Sequence, residues 1–112
     1  MCAMSIIGKL NRSGMEACRN GFFKEAECHL LAALDQARLS GSQCTQAKIR
    51  NNLGILYELQ GLRDRARHHY GSALDLMKSK LSVEHPLYTR LTESLSRVMA
   101  VDSGGSARIR PW

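Results

Sequence analysis

Large and small apolar residues recur along this chain at helical spacing, and the pattern is sharpest between Asn51 and Ala73. Leu53 and Tyr57 lie one turn apart on one helical face, and Gly54 beside them leaves room for a neighbouring helix. Gly61 suits the left-handed residue that ends a helix. Beyond it, Ala66, Tyr70 and Ala73 form an i, i+4, i+7 stripe in which two small residues flank a large one, as close packing of a second helix requires. The segment predicts a helical hairpin. A shift of 40 residues places Gly14 on Gly54, Gly21 on Gly61, Ala26 on Ala66, Leu30 on Tyr70 and Ala33 on Ala73. A shift of 42 places Thr92 to Met99 over Arg50 to Tyr57, with Leu95 on Leu53, Ser96 on Gly54 and Met99 on Tyr57. Two hairpins and a final half-repeat follow, in an architecture where stacked neighbours supply the wall that no unit builds alone.

Stop signals divide the chain further. Helices are expected from about Met4 to Arg19, Phe22 to Leu39, Gln43 to Gln60, Leu62 to Leu81 and Pro86 to Ala100. Pro86 suits the first turn of the last one, where its missing amide hydrogen costs nothing. One repeat domain is expected over 1–101, with repeats at about 4–41 and 43–85 and a final helix at about 86–100. The run Asp102-Ser103-Gly104-Gly105-Ser106 is expected to end it, leaving 102–112 as a flexible tail; anchoring of Trp112 on the domain or on a partner is the alternative.

Leu53, Gly54, Tyr57, Ala66, Tyr70 and Ala73 together resemble the tetratricopeptide repeat pattern. Asn51-Asn52-Leu53 and the linker Lys80-Leu81-Ser82-Val83-Glu84-His85-Pro86 resemble its longer, kinesin light chain type. The resemblance spans roughly Ile7 to Met99; the first repeat departs from it, with Ser13 in place of a large residue and Ala17 in place of Tyr. It implies an all-α fold: an α-solenoid of two such hairpins plus a C-terminal capping helix, wound as a right-handed superhelix. It also implies that the first helices of successive hairpins line a concave face where partner peptides lie.

With Ala47 as the first repeat position, the groove positions of the middle hairpin are Lys48, Asn51, Asn52, Ile55 and Glu58. Those of the first hairpin are Gly8, Asn11, Arg12, Met15 and Cys18, and those of the last helix Arg90, Glu93, Ser94 and Arg97. Peptide contact is expected at Asn11, Met15, Lys48, Asn51, Asn52, Ile55, Arg90 and Arg97. An Asn amide both donates to and accepts from an extended backbone, Lys and Arg meet carboxylates, and Met15 and Ile55 offer apolar contact. Asn51 and Asn52 are expected on the surface, the alternative being that they merely cap or solvate the helix. A chaperone-tail carboxylate clamp is incomplete, because Asn11, Met15 and Ser94 stand where that clamp resembles Lys, Asn and a basic residue. An internal or extended acidic-apolar segment is the expected ligand.

Composition changes this picture little. At 112 residues and 5% aromatic content, the chain suits a single thin helical layer. The net charge of +6 is spread over every helix, and Arg63, Arg65 and Arg67 alternate around a helix without forming a stripe. That argues against nucleic acid and for an acidic protein partner. Cys2, Cys18, Cys28 and Cys44 lack CxxC spacing and are read as reduced packing thiols. His68-His69 and Cys28-His29 are neighbours that point about 100° apart, which suits neither a metal chelate nor a nucleophile and base. No cofactor, no metal and no catalysis is expected, nor a membrane span or signal peptide; the location is read as cytoplasmic. The expected function is a non-catalytic adaptor or scaffold that binds a peptide or protein segment in the concave groove. The alternatives are homo-oligomerisation through Leu87, Leu91, Leu95, Val98 and Met99 of the last helix, and a basic accessory subunit of an enzyme or nucleic-acid complex.

Overall fold

The computed structural model describes residues 3–40, 42–78 and 85–100. Its helices are α1 (Ala3–Arg19), α2 (Phe23–Ser40), α3 (Gln43–Leu59), α4 (Arg63–Met77) and α5 (Pro86–Met99). No strand occurs among the described residues. The fold is the expected all-α helical repeat solenoid. The fourth helix, expected to reach Leu81, is described only to Met77; residues 79–81, the linker up to Glu84, Cys2 and the 102–112 tail lie outside the described residues.

Both hairpins turn by the same local chemistry. Gly21 and Gly61 take φ of +83° and +78°, a left-handed conformation that a side chain would strain. The amide of Phe22 then donates to the Ala17 carbonyl at 2.9 Å and that of Gly21 to Cys18 at 3.1 Å; Leu62 to Tyr57 at 2.8 Å and Gly61 to Glu58 at 3.0 Å repeat the arrangement. Carbonyls that a helix end leaves unpaired are satisfied in this way. α3 begins at Ser42, whose hydroxyl accepts from the Thr45 amide at 3.3 Å. α5 begins at His85, whose Nδ1 accepts from the Leu87 amide at 3.0 Å, with Pro86 in the first turn.

Close approach within each hairpin depends on a glycine. A Cβ on Gly14 would meet the Leu30 side chain at 2.7 Å, and one on Gly54 would run into the Tyr70 ring. These equivalent pairs establish that the 40-residue repeat is structural. Ala26, Ala33, Ala66 and Ala73 are fully buried where the paired helices meet.

Sequence neighbours pack on one another, and α3 also touches α1 and α5. α1, α3 and α5 therefore run in one direction, with α2 and α4 as the second layer. α3 is the central element: residues 51–57 are buried without interruption, because neighbouring helices surround that stretch. Leu30, Ile49, Leu53, Leu56, Met77, Leu87 and Leu91 are fully buried, each stabilising the fold by roughly 1.5–3 kcal/mol. Of the apolar face of α5, Leu87, Leu91 and Val98 are buried, Leu95 is half-buried and Met99 is 61% exposed.

Candidate functional site

The face expected to bind a peptide is formed by α1, α3 and α5. Of its predicted residues the structure brings Asn11 and Asn52 into contact, and it places several under the surface. Asn51 and Asn52 are 0% exposed, Ile55 2% and Met15 5%, which corrects the expectation that these side chains present themselves to a ligand. The physical reason is the proximity of the three parallel helices: α1 and α5 close over the sides of α3, and side chains on the shared line interlock. Asn52 donates from Nδ2 to Asn11 Oδ1 at 2.8 Å across that line. Asn51 has no hydrogen-bond partner for either side-chain polar atom. Asn11 is half-buried, and Lys48 and Arg90 retain solvent access on neighbouring helices.

Arg97 serves another purpose. Its Nε donates to Glu58 Oε2 at 2.6 Å and its Nη2 to Glu58 Oε1 at 3.0 Å, with side chains only 14% and 13% exposed. Tyr70 donates its hydroxyl to the same carboxylate at 2.8 Å, and Arg97 Nη2 reaches Ser94 at 3.3 Å. Hydrogen bonding to Glu58 raises the Arg97 pKa. Burial, then the charge and hydrogen bond of Glu58, pushes the Tyr70 phenol far above its ordinary range. This clasp ties α3, α4 and α5 together.

A second polar group lies on the opposite flank of α3. Tyr57 donates to Glu27 Oε2 of α2 at 2.6 Å, and its pKa is pushed up to about 12 by burial and then by that carboxylate. The His69 ring stacks on Tyr57 at 5.4 Å and 22°, Arg65 lies over the same phenol at 5.7 Å, and Arg50 Nη1 approaches His69 Nδ1 at 3.3 Å. Guanidinium has no acceptor, so His69 accepts at Nδ1 and carries its proton on Nε2. Burial, then Arg50, His68 and Arg38, lowers the His69 pKa to about 4. Burial and then Arg38 likewise lower that of Arg50.

Sequence reasoning missed both groups. The available signal was Tyr70 standing where the first hairpin has Leu30, since a buried phenol needs a partner for its hydroxyl. Both groups join helices through their polar side chains. Among the described residues no three His, Cys, Asp or Glu side chains converge as metal ligands. Cys18 is a buried free thiol whose pKa is raised by burial, and Cys28 and Cys44 are free. No described helix is long and apolar enough to cross a membrane.

No curated protein and no solved structure matches the chain. The family model described as tetratricopeptide repeat matches residues 6–79, a stretch that takes in both glycine-dependent hairpins. The chain belongs to the tetratricopeptide repeat family, whose repeats are generally protein–protein interaction modules.

Proposed function

We propose that the chain is a non-catalytic adaptor that binds an acidic segment of a partner protein along the rim of its α1–α3–α5 face. The observation that carries this reading is the pairing of Lys48 and Arg90. These residues are equivalent under the 42-residue shift, and both keep solvent access while Asn51, Asn52 and Ile55 are buried. The floor is packed and the rim is basic. A ligand on such a surface is held by carboxylates against Lys48 and Arg90 and by backbone contacts near Asn11, with Met15, Asn52 and Ile55 acting as supports. Pairing of α5 with another copy has less to draw on, since Leu95 and Met99 are the apolar residues of α5 left incompletely buried.

We also infer that the second repeat is of the kinesin light chain type. Asn52 uses its amide to reach the preceding repeat, and His85 caps α5 directly before Pro86, which gives both motifs a structural purpose.

Selection of a displayed library of acidic-apolar peptides against the full chain tests the function. Enrichment of acidic peptides is expected, with affinity reduced at least about tenfold in K48E/R90E at unchanged helicity. Absence of enrichment, or full binding by that variant, overturns the reading.

A further inference from the structure

Arg50 and Arg97 are both partly buried between helices, and they are treated differently. Arg97 is held by the Glu58 carboxylate. Arg50 takes part in no ion pair among the described residues: it donates to His69 Nδ1 at 3.3 Å, and the charge that acts on it is the like charge of Arg38. Arg38 also acts on His69, so two guanidiniums and an imidazole share one neighbourhood. A half-buried cation beside another cation is unfavourable, and an arrangement of this kind is a mark of a site that takes a ligand.

The repeat architecture does not ask for these residues. Under the 40-residue shift Gln46, Arg50 and Ser72 correspond to Ile6, Leu10 and Ala32, and under the 42-residue shift Arg50 corresponds to Thr92. In the second hairpin alone, the polar set surrounds a hollow of about 350 Å³ at the groove between α3 and α4, lined by Gln43, Gln46, Arg50, Ser72, Asp75 and Leu76. The carboxylates nearby are engaged elsewhere. Asp75 meets Lys78 at 3.2 Å, Glu27 accepts from Tyr57, and Asp35 reaches Arg38 only at 3.8 Å in an exposed pair that screens little of its charge. The complementary occupant is an anion from outside the chain. The hollow is larger than a bare ion needs, and its amide and hydroxyl groups suit an attached organic part.

We propose that the hollow beside Arg50 binds a phosphate monoester, with the phosphate held by Arg50 and Arg38 and the organic part by Gln43, Gln46 and Ser72. Guanidinium forks match phosphate oxygens in geometry, and a phosphate dianion offsets two cations where a carboxylate offsets one. The same chemistry is offered by a small phosphorylated metabolite and by a phosphorylated side chain of a partner. Arg50 stands about 200° around α3 from Lys48, so this site is separate from the basic rim and neither reading depends on the other.

Titration of the full chain with inorganic phosphate, sulfate, free phosphoserine, free phosphotyrosine and a phosphoserine peptide tests the site, with the His69 ring resonances as a local reporter. Saturable binding of a phosphorylated probe is expected, with shifts at His69 and affinity reduced at least about tenfold in R50Q and in R38Q. K48E/R90E should bind the same probe unchanged. R50Q should melt no lower than the native protein, because it removes a cation that has no acid; R38Q changes an exposed side chain and decides the matter if R50Q fails to fold. Tighter binding of the peptide than of free phosphoserine assigns the phosphate to a partner protein, and equal or weaker binding assigns it to a small metabolite. Three results overturn the proposal: no saturable binding of any phosphorylated probe, full binding by folded R50Q or R38Q, or sulfate and inorganic phosphate binding as tightly as the monoesters.

Discussion

The seam between the first and second repeats and the seam between the second repeat and α5 have the same backbone design and opposite side-chain chemistry. At the first, Leu30, Cys18 and Ile55 are buried apolar groups, and Asn52 reaches Asn11. The repeat shifts carry these residues to Tyr70, Glu58, Arg97, Ser94 and Asn51 at the second. There a buried ion pair with a phenol and a hydroxyl replaces the apolar contact, and the Asn without a partner is the one whose counterpart has become Ser94. One packing geometry is thus closed either by apolar contact or by a polar clasp. The clasp is the more conditional of the two, because each member depends on the others to offset desolvation.

Removing one member of the clasp should have the largest effect. Arg97→Ala leaves Glu58 buried without its cation and is expected to cost about 3–5 kcal/mol, measured by denaturant unfolding. Replacing Glu58 and Arg97 together by Leu and Met should recover most of that loss. Ile55→Ala at the equivalent place in the first seam should also destabilise, by about 2–5 kcal/mol, but a second substitution at Cys18 should not rescue it. Rescue in both seams, or in neither, would erase the distinction drawn between them.

Acid should act on the first seam. His69 stacks on Tyr57, which bonds α2, and its pKa falls from 6.5 to about 4 in the fold. The unfolded chain therefore binds the proton more readily. Stability is fully present above pH 6.5 and is lost as pH falls toward about 4. His69→Phe should flatten that part of the stability profile; an unchanged acid limb would remove His69 as its cause.

The glycines sharpen the contrast within hairpins. Gly54→Ala drives a methyl into the rigid Tyr70 ring and is expected to cost roughly 1–3 kcal/mol in thermal melts, despite the better helix propensity of Ala. Gly14→Ala meets the more pliable Leu30 and should cost less. Reversed order would mean that Tyr70 is free to move, and that the clasp holding it is weaker than its geometry implies.

The smallest effects are expected at the two asparagines, with opposite sign. Asn52→Leu breaks a buried amide pair and should cost about 1–2 kcal/mol, whereas Asn51→Leu removes polar atoms that have no partner and should be neutral or stabilising. Equal losses at both positions would show that Asn51 is satisfied in solution.

The helices themselves were legible because their signals are local. Gly21 and Gly61 mark left-handed turns, Pro86 marks a first turn, and the large-small alternation of Gly54 with Tyr70 and of Gly14 with Leu30 reports how near two helices come. The burial of Asn51 and Asn52 was not legible. A helical pattern tells which direction a side chain points, but how closely the next repeat approaches along that direction depends on residues about 40 positions away. Glu58 and Arg97 illustrate the same limit, since each alone resembles a solvated charge. His85 was visible only as the residue before Pro86; its ring nitrogen as a helix cap requires the backbone geometry to be recognised.

The enclosure of α3 has a consequence for what counts as a unit in this protein. The sequence repeats every hairpin, yet α3 lends one flank to α2, another to α4 and its sides to α1 and α5. A cut at the sequence boundary near Ser40 would strip the first hairpin of the wall against which Leu30 and Leu34 are buried. The thermodynamic unit is therefore offset from the sequence repeat and centred on a shared helix, so the two hairpins melt as one body. Duplication can lengthen such a chain one hairpin at a time, but its stability grows one seam at a time.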